Sequence, residues 1–225
     1  MSVSAKRSEI RRQAIVRAAD GVFQEKGYLG TSMEEIATTA GVSKQTIYNH
    51  FSDKEQLFFE IVLATTGDID EIVRQVVLTL DNTDEVERDL RRLARIFIAA
   101  LMDPKLLQLR RLVIANADRL PELGTAWYEQ GFERVLSTLA SSFEGLAKRN
   151  LLCFSDALLA ANHFVGMLLW IPVNRAMFTG NYTHYSGRQL ERYADAAVSA
   201  FLTGHSVKRA GAGVTSSPGP GVPNG

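Results

Sequence analysis

Apolar residues in this chain recur every three or four positions, and no stretch shows the strict alternation of a strand. Ile15, Ala18, Ala19, Val22 and Phe23 fall on one helical face. Met33, Ile36, Ala37 and Ala40 repeat at i, i+3, i+4 and i+7, which predicts a short second helix. Val42 and Ile47 extend the apolar side into a third helix, which would pack across the second. Further helical patterns run over 54–80, 84–101, 105–119, 122–150, 155–178 and 187–204. Pro104 and Pro121 separate three of them, and Thr65-Thr66-Gly67-Asp68 predicts a weak point in the first. Helices without strands predict an all-α fold.

Polar residues at the helix starts sharpen this picture between residues 32 and 58. Ser32 with Glu35, and Ser52 with Glu55, have the spacing of capping boxes, and Ser43 can cap a third start. Gly41 lies where the chain must turn. Three short helix starts around a glycine turn are the layout of a helix-turn-helix. The outer side of its last helix offers Lys44, Gln45, Thr46, Tyr48, Asn49 and His50, with almost no acid. Gln and Asn pair bidentately with adenine and Lys donates to guanine, so Lys44, Gln45, Thr46 and Asn49 are candidate base readers. Tyr48, His50 and Lys54 are candidate phosphate anchors, Lys54 in a first helical turn whose free N–H groups favour an anion. A solvated helix pair in an ordinary helical protein shares this spacing.

Charge adds to the case only through its distribution. Lys plus Arg and Asp plus Glu both number 25 in 225 residues, so net charge carries no nucleic-acid signal. Residues 1–12, however, hold Lys6, Arg7, Arg11 and Arg12 against Glu9 alone, a basic arm suited to phosphates. Arg7 and Arg11, with Ser32 and Ser43 at the helix starts, complete the candidate DNA-binding set. The lone Cys153 excludes an internal disulfide, and the four histidines show no metal-ligand spacing. With no phosphate loop or nucleophile motif either, the sequence predicts neither an enzyme nor a cofactor. No apolar signal-peptide core opens the chain, so a cytoplasmic protein is expected. Residues 157–174 are uncharged over 18 positions, but Asn162, His163 and Pro172 favour a buried helix over a membrane span.

The stretch RSEIRRQAIVRAADGVFQEKGYLGTSMEEIATTAGVSKQTIYNHFSDKEQLF resembles the N-terminal domain of TetR/AcrR-family transcriptional regulators. The matching features include Gly27-Tyr28, Thr31-Ser32, Ile36-Ala37, Ala40-Gly41-Val42-Ser43, Ile47-Tyr48 and His50-Phe51. The resemblance implies a homodimer on double-stranded DNA, usually a repressor on a palindromic operator, released by a small and largely apolar effector. It also implies that Thr31, Tyr48 and Lys54 hold phosphates. LRRLVIANADRLPELGTAWYEQGFERVL is similar to the regulatory domain of AefR-like members, although Asn116 stands where that pattern usually has Glu. The expected domains are 1–53 for DNA binding and 54–208 for regulation and dimerisation, followed by a disordered tail over 209–225 that is uncharged from Ala210 onward.

A ligand-controlled regulator needs a cavity in the larger domain, mostly apolar with a few oriented polar groups. Candidate walls are Met102, Leu109, Trp127, Phe132, Phe164 and Met167, then Trp170, Asn174 and Met177. Asn116 and His163 join them because a polar side chain on an apolar helix needs a partner. Any of these can equally be ordinary core. The family arrangement implies that the last two helices form the dimer interface. Gly166 and the stripe Leu190, Tyr193, Ala194, Ala197, Val198 and Phe201 are its candidates, though such a stripe also suits intrachain packing. The rival function is a ligand- or partner-binding sensor of the same fold without a specific operator.

Overall fold

The computed structural model describes residues 3–205, so the tail expected over 209–225 lies outside the described residues. Among the described residues ten α-helices follow in order: α1 Val3–Lys26, α2 Met33–Thr39, α3 Lys44–His50, α4 Lys54–Val77 and α5 Val86–Leu101, then α6 Pro104–Asn116, α7 Pro121–Trp127, α8 Arg134–Lys148, α9 Ala157–Thr179 and α10 Gly187–His205. A six-residue π-helical segment, Tyr128–Glu133, joins α7 to α8. No strand occurs among the described residues.

The first three helices close around Ile15, Phe23, Ile36, Ile47 and Phe51, all buried. Leu57, Phe58, Ile61 and Val62 from α4 complete this core, so the N-terminal half of α4 belongs to it physically. Phe23, Tyr28 and Phe58 meet with ring centroids 4.9–5.8 Å apart, fixing the angle between α1 and α4. Gly41 adopts φ +67°, and the Val42 N–H reaches back to the Ala37 carbonyl while the Gly41 N–H reaches Thr38. This Schellman ending satisfies the last carbonyls of α2 and turns the chain into α3. A β-carbon at residue 41 would strain it.

Helix starts follow the sequence with one shift. Ser32 Oγ accepts the Glu35 N–H and Ser43 Oγ accepts the Thr46 N–H. The Glu35 carboxylate pairs with Lys26 instead of turning back to its cap, so that box is half formed. At α4 the cap is Asp53, not Ser52: Asp53 accepts the Gln56 N–H at 2.8 Å, and Gln56 Oε1 accepts the Ser52 N–H at 2.7 Å. Asp caps as well as Ser, so the start moves one residue along.

The remaining helices form the larger domain around the C-terminal half of α4. The weak point expected at Thr65–Asp68 is not a break, because α4 is continuous through it. Thr65 and Thr66 bond their hydroxyls back to carbonyls of the preceding turn, which keeps both side chains compatible with helix. The segment expected as one helix over 122–150 contains the π turn. An added residue in a turn leaves the apolar spacing on either side intact.

Helix α9 is not buried all round. One side packs through Phe164, Leu168 and Val173, while Leu159, Met167, Trp170, Ile171 and Phe178 face outward. By length and composition α9 could cross a membrane; here it lies against α5, α6, α8 and α10.

Candidate DNA-binding surface and regulatory cavity

Helix α3 places Lys44, Gln45, Tyr48 and Asn49 on one exposed face, with Ile47 fully buried beneath. Gln45 Nε2 donates to Asn49 Oδ1 at 3.0 Å, so the two amides form a pre-aligned pair. Tyr48 is 41% exposed, with the Lys44 ammonium 6.0 Å from its ring. Thr46 turns its hydroxyl to Ser43 at 2.8 Å and His50 is only partly exposed beside Phe51, so both stand less free than their neighbours. The face is less acid-free than the α3 sequence suggests, because Glu34 on α2 forms an ion pair with Lys44. That contact holds the Lys44 pKa up and the Glu34 pKa down. Any anion approaching Lys44 would have to displace Glu34 first.

The basic arm divides. Arg7 and Arg11 are exposed on α1, whereas Arg12 lies over the Phe51 ring and pairs with Glu60 at 2.6 Å. Ser32 and Ser43 spend their oxygens on helix caps.

Two of the family-implied phosphate positions point inward. Thr31 is buried, and its hydroxyl donates to the Gly27 carbonyl at 2.8 Å. Lys54 Nζ donates to the carbonyls of Tyr28 at 2.7 Å and Thr31 at 2.8 Å, 4.4 Å from the centre of the Tyr28 ring. Burial, followed by the nearby charge of Arg119, pushes the Lys54 pKa below that of a free lysine. Two of its three N–H groups therefore tie α4 to the loop before α2. The phosphate role expected of Lys54 is left to the third.

The regulatory domain holds a small cavity of about 40 Å³ among α4 to α9 and the π segment. Thr66, Phe97, Trp127, Gly131, Phe132 and Arg110 are among its walls. A larger open groove of about 520 Å³ lies alongside, between α6 and α9, and includes Trp170, Asn174 and Met177. Arg110, Phe132, Val165 and Leu169 line both spaces and so form the partition between them. The Arg110 guanidinium stacks 4.8 Å from the centre of the Phe132 ring. The π turn brings Gly131 against α4, where a β-carbon would lie 3.2 Å from Thr66 Cγ2. No side chain larger than glycine fits there without displacing that contact.

The expected pocket set divides accordingly. Trp127 and Phe132 line the cavity, and Trp170, Asn174 and Met177 line the groove. Met102, Leu109 and Phe164 are buried but line neither space; Phe164 packs edge-on against Phe143 and Phe201. Asn116 is satisfied by donating to the Leu112 carbonyl at 2.8 Å, as a buried amide on an apolar helix can be without a ligand. His163 and Met167 lie on the outer face of α9. Arg110 and Thr66 were missed. Arg110 sits in LLQLRRLV, where two adjacent arginines read as solvated, and only the packing of α6 on the π turn turns one inward.

The dimer stripe also needs correction. Ala194, Ala197, Val198 and Phe201 are buried within their own chain, because this face of α10 packs on α5 and α9. Leu190 and Tyr193 are partly buried, with Tyr193 edge-on to Tyr185. A 3.6-residue period identifies a buried face, not the partner that buries it. Gly166 alone of that set lies on an open apolar surface, the outer side of α9.

Comparison with known proteins agrees with this architecture. Residues 15–61 match the family described as bacterial regulatory proteins, tetR family, and residues 88–205 match the AefR-like transcriptional repressor C-terminal domain. A solved TetR-family transcriptional regulator from Mesorhizobium loti is 54% identical, with a TM-score of 0.85 over 89% of this chain and 99% of that one. The flavonoid-responsive regulator FrrA is 27% identical with a TM-score of 0.70, over 89% and 99% of the two chains. Among sequence relatives, the transcriptional activator FasR of Mycolicibacterium smegmatis is 38% identical over 78 residues, 35% of each chain. The repressor AcnR of Corynebacterium diphtheriae is 35% identical over 88 residues, 39% of this chain and 44% of its own. The chain spans less than half the length of these two relatives. With one profile covering the helix-turn-helix and a second covering more than half of the chain, the protein belongs to the TetR family of transcriptional regulators and carries an AefR-like C-terminal domain.

Proposed function

We propose that this protein is a homodimeric repressor that binds a palindromic operator and is released by a small, largely apolar ligand. The observation that carries the reading is the α3 face: Lys44, Gln45, Tyr48 and Asn49 project together from a fully packed helix pair. In that arrangement Gln45 and Asn49 address base edges, Lys44 joins them on leaving Glu34, and Tyr48, Arg7 and Arg11 address phosphates. An activator such as FasR and a repressor such as AcnR share this kind of domain, so promoter geometry decides the sign of control.

Dimerisation through α9 accounts for its outer face. Trp170 is 68% exposed and Phe178 85%, in line with Leu159, Met167 and Ile171, an apolar patch that a second copy would cover. A regulator that works on an operator would act in the cytoplasm.

Control by a ligand requires different affinities for two conformations. Helix α6 supplies a route between them. It carries Arg110 at the cavity, and its continuation ends at Arg119, whose charge reaches both Lys54 and Tyr28. Helix α4 supplies a second route, from Thr66 at the cavity wall to the Lys54 clamp. A ligand that parts these helices would move the two α3 helices of a dimer out of step with the major groove.

Selection of binding sites from random duplex DNA with the purified full-length protein tests the reading. A palindrome whose half-sites lie about one helical turn apart, or a multiple of it, is the expected result. Absence of enrichment at moderate salt would contradict it.

A further inference from the structure

We infer that the effector is an apolar molecule carrying one carboxylate, that Arg110 receives this group, and that the apolar part displaces Phe132 to enter the cavity. The inference rests on the proposed reading that the regulatory domain binds a small ligand, and it assigns that ligand's charge.

Other arginines of the domain show what a settled guanidinium looks like here. Arg95 grips both oxygens of Asp195 at 2.9 and 2.7 Å, Arg134 pairs with Asp70 at 3.0 Å, and Arg88 pairs with Asp89. Arg110 is partly buried, yet among the described residues it forms no ion pair, and its guanidinium lies over the face of Phe132. Burial alone pushes its pKa below that of a free arginine, so removal from water is not offset by an acid. It keeps its proton nonetheless, and its planar fork suits the two oxygens of a carboxylate.

The surroundings supply the rest. Described residues lining the cavity and groove include Arg110 and Arg111 but no Asp or Glu. An anion therefore meets two cations and no repulsion, whereas an amine would meet the reverse. Apart from these arginines the walls are mainly aliphatic and aromatic, which calls for a hydrocarbon body. At about 40 Å³ the cavity has room for only a few waters. Since Phe132 stands in the partition, swinging its ring aside joins cavity and groove. The ring that moves is the one stacked on the guanidinium, so the carboxylate would replace a cation–π contact with a charge-assisted fork. Phe132 adjoins Gly131, which touches Thr66 of α4, so occupancy bears directly on the helix leading to the DNA-binding domain.

Matched probes separate charge from bulk: decanoate against decanol, and 2-naphthoate against 2-naphthalenemethanol. Binding to the full-length protein is followed by calorimetry and by the fluorescence of Trp127 and Trp170. The expected result is that at least one carboxylate binds roughly 10- to 100-fold more tightly than its alcohol. In Arg110→Met that ratio should fall to near one with alcohol binding little changed, and Arg110→Lys should restore part of it. Equal binding of acid and alcohol, an unchanged ratio in Arg110→Met, or no binding of either carboxylate would overturn the inference. Operator release, measured in parallel, separates the two levels. Alcohols that release DNA while carboxylates do not bind would leave ligand control standing and remove the charge assignment. Carboxylates held by Arg110 without effect on DNA would do the opposite.

Discussion

Lys54 in the DNA-binding domain and Arg110 in the regulatory domain are both partly buried cations, and the protein treats them differently. Lys54 gives two of its protons to backbone carbonyls and rests on the Tyr28 ring. Arg110 rests on the Phe132 ring and, among the described residues, forms no ion pair. The contrast extends to the apolar surface. Around α1 to α3 the large side chains are mostly drawn inward, while α9 leaves Trp170 and Phe178 in water. A group satisfied inside its own chain holds a fold together. A group left unmet marks where something else is to bind. Helix α6 joins the two cases, since it bears Arg110 and leads to Arg119 near Lys54.

The largest expected effect concerns the unmet apolar face. Trp170→Glu should weaken self-association by about 100-fold or more, because a charge would enter the centre of a desolvated patch. Sedimentation at several concentrations reads this directly, with helix content unchanged. If the variant associates as the natural protein does, the α9 face is not the dimer interface.

The two cations come next, and their substitutions should differ. Lys54→Met leaves the Tyr28 and Thr31 carbonyls without their donor and should cost about 2 kcal/mol in urea unfolding. Arg110→Met removes a charge that nothing compensates, so stability should stay within about 1 kcal/mol of the natural protein. Equal losses in the two variants would break the comparison.

A smaller effect lies at the α4 cap. The Gln56 N–H, and then the Ser52 hydroxyl, hold the Asp53 carboxyl below the usual carboxylate range. A depressed carboxyl pKa stabilises the fold above about pH 4, and that stabilisation is lost as the pH falls through the folded-state value. Asp53→Ala should cost about 1 kcal/mol at neutral pH. Asp53→Asn should keep most of the cap while removing this part of the acid dependence, which unfolding curves at pH 3 to 7 would resolve.

Legibility followed the range of the interactions. The helix-turn-helix could be read because its determinants are local: Gly41 for the turn, Ser43 for the cap, Ile47 inward and Gln45 outward within one seven-residue helix. Even there, adjacent Ser52 and Asp53 competed for one cap, and the inward turn of Lys54 depended on carbonyls more than twenty residues away. In the regulatory domain the helices were legible but their partners were not. The α10 stripe pointed to burial, and packing on α5 and α9 decided that the burial is internal. The π turn has no period of its own to betray it, and without it Phe132 and Arg110 would not meet. Their contact is tertiary, and so is the site.

In the proposed function α3 reads bases through Gln45 and Asn49, with Tyr48 holding the backbone. The most direct measurement is the affinity of Gln45→Ala and Tyr48→Ala for a selected operator and for each of its single-base variants at fixed salt. Gln45→Ala should lose discrimination at one position per half-site, by about 1–3 kcal/mol, while Tyr48→Ala should weaken every sequence alike. A uniform loss for Gln45→Ala, with sequence preference intact, would contradict it.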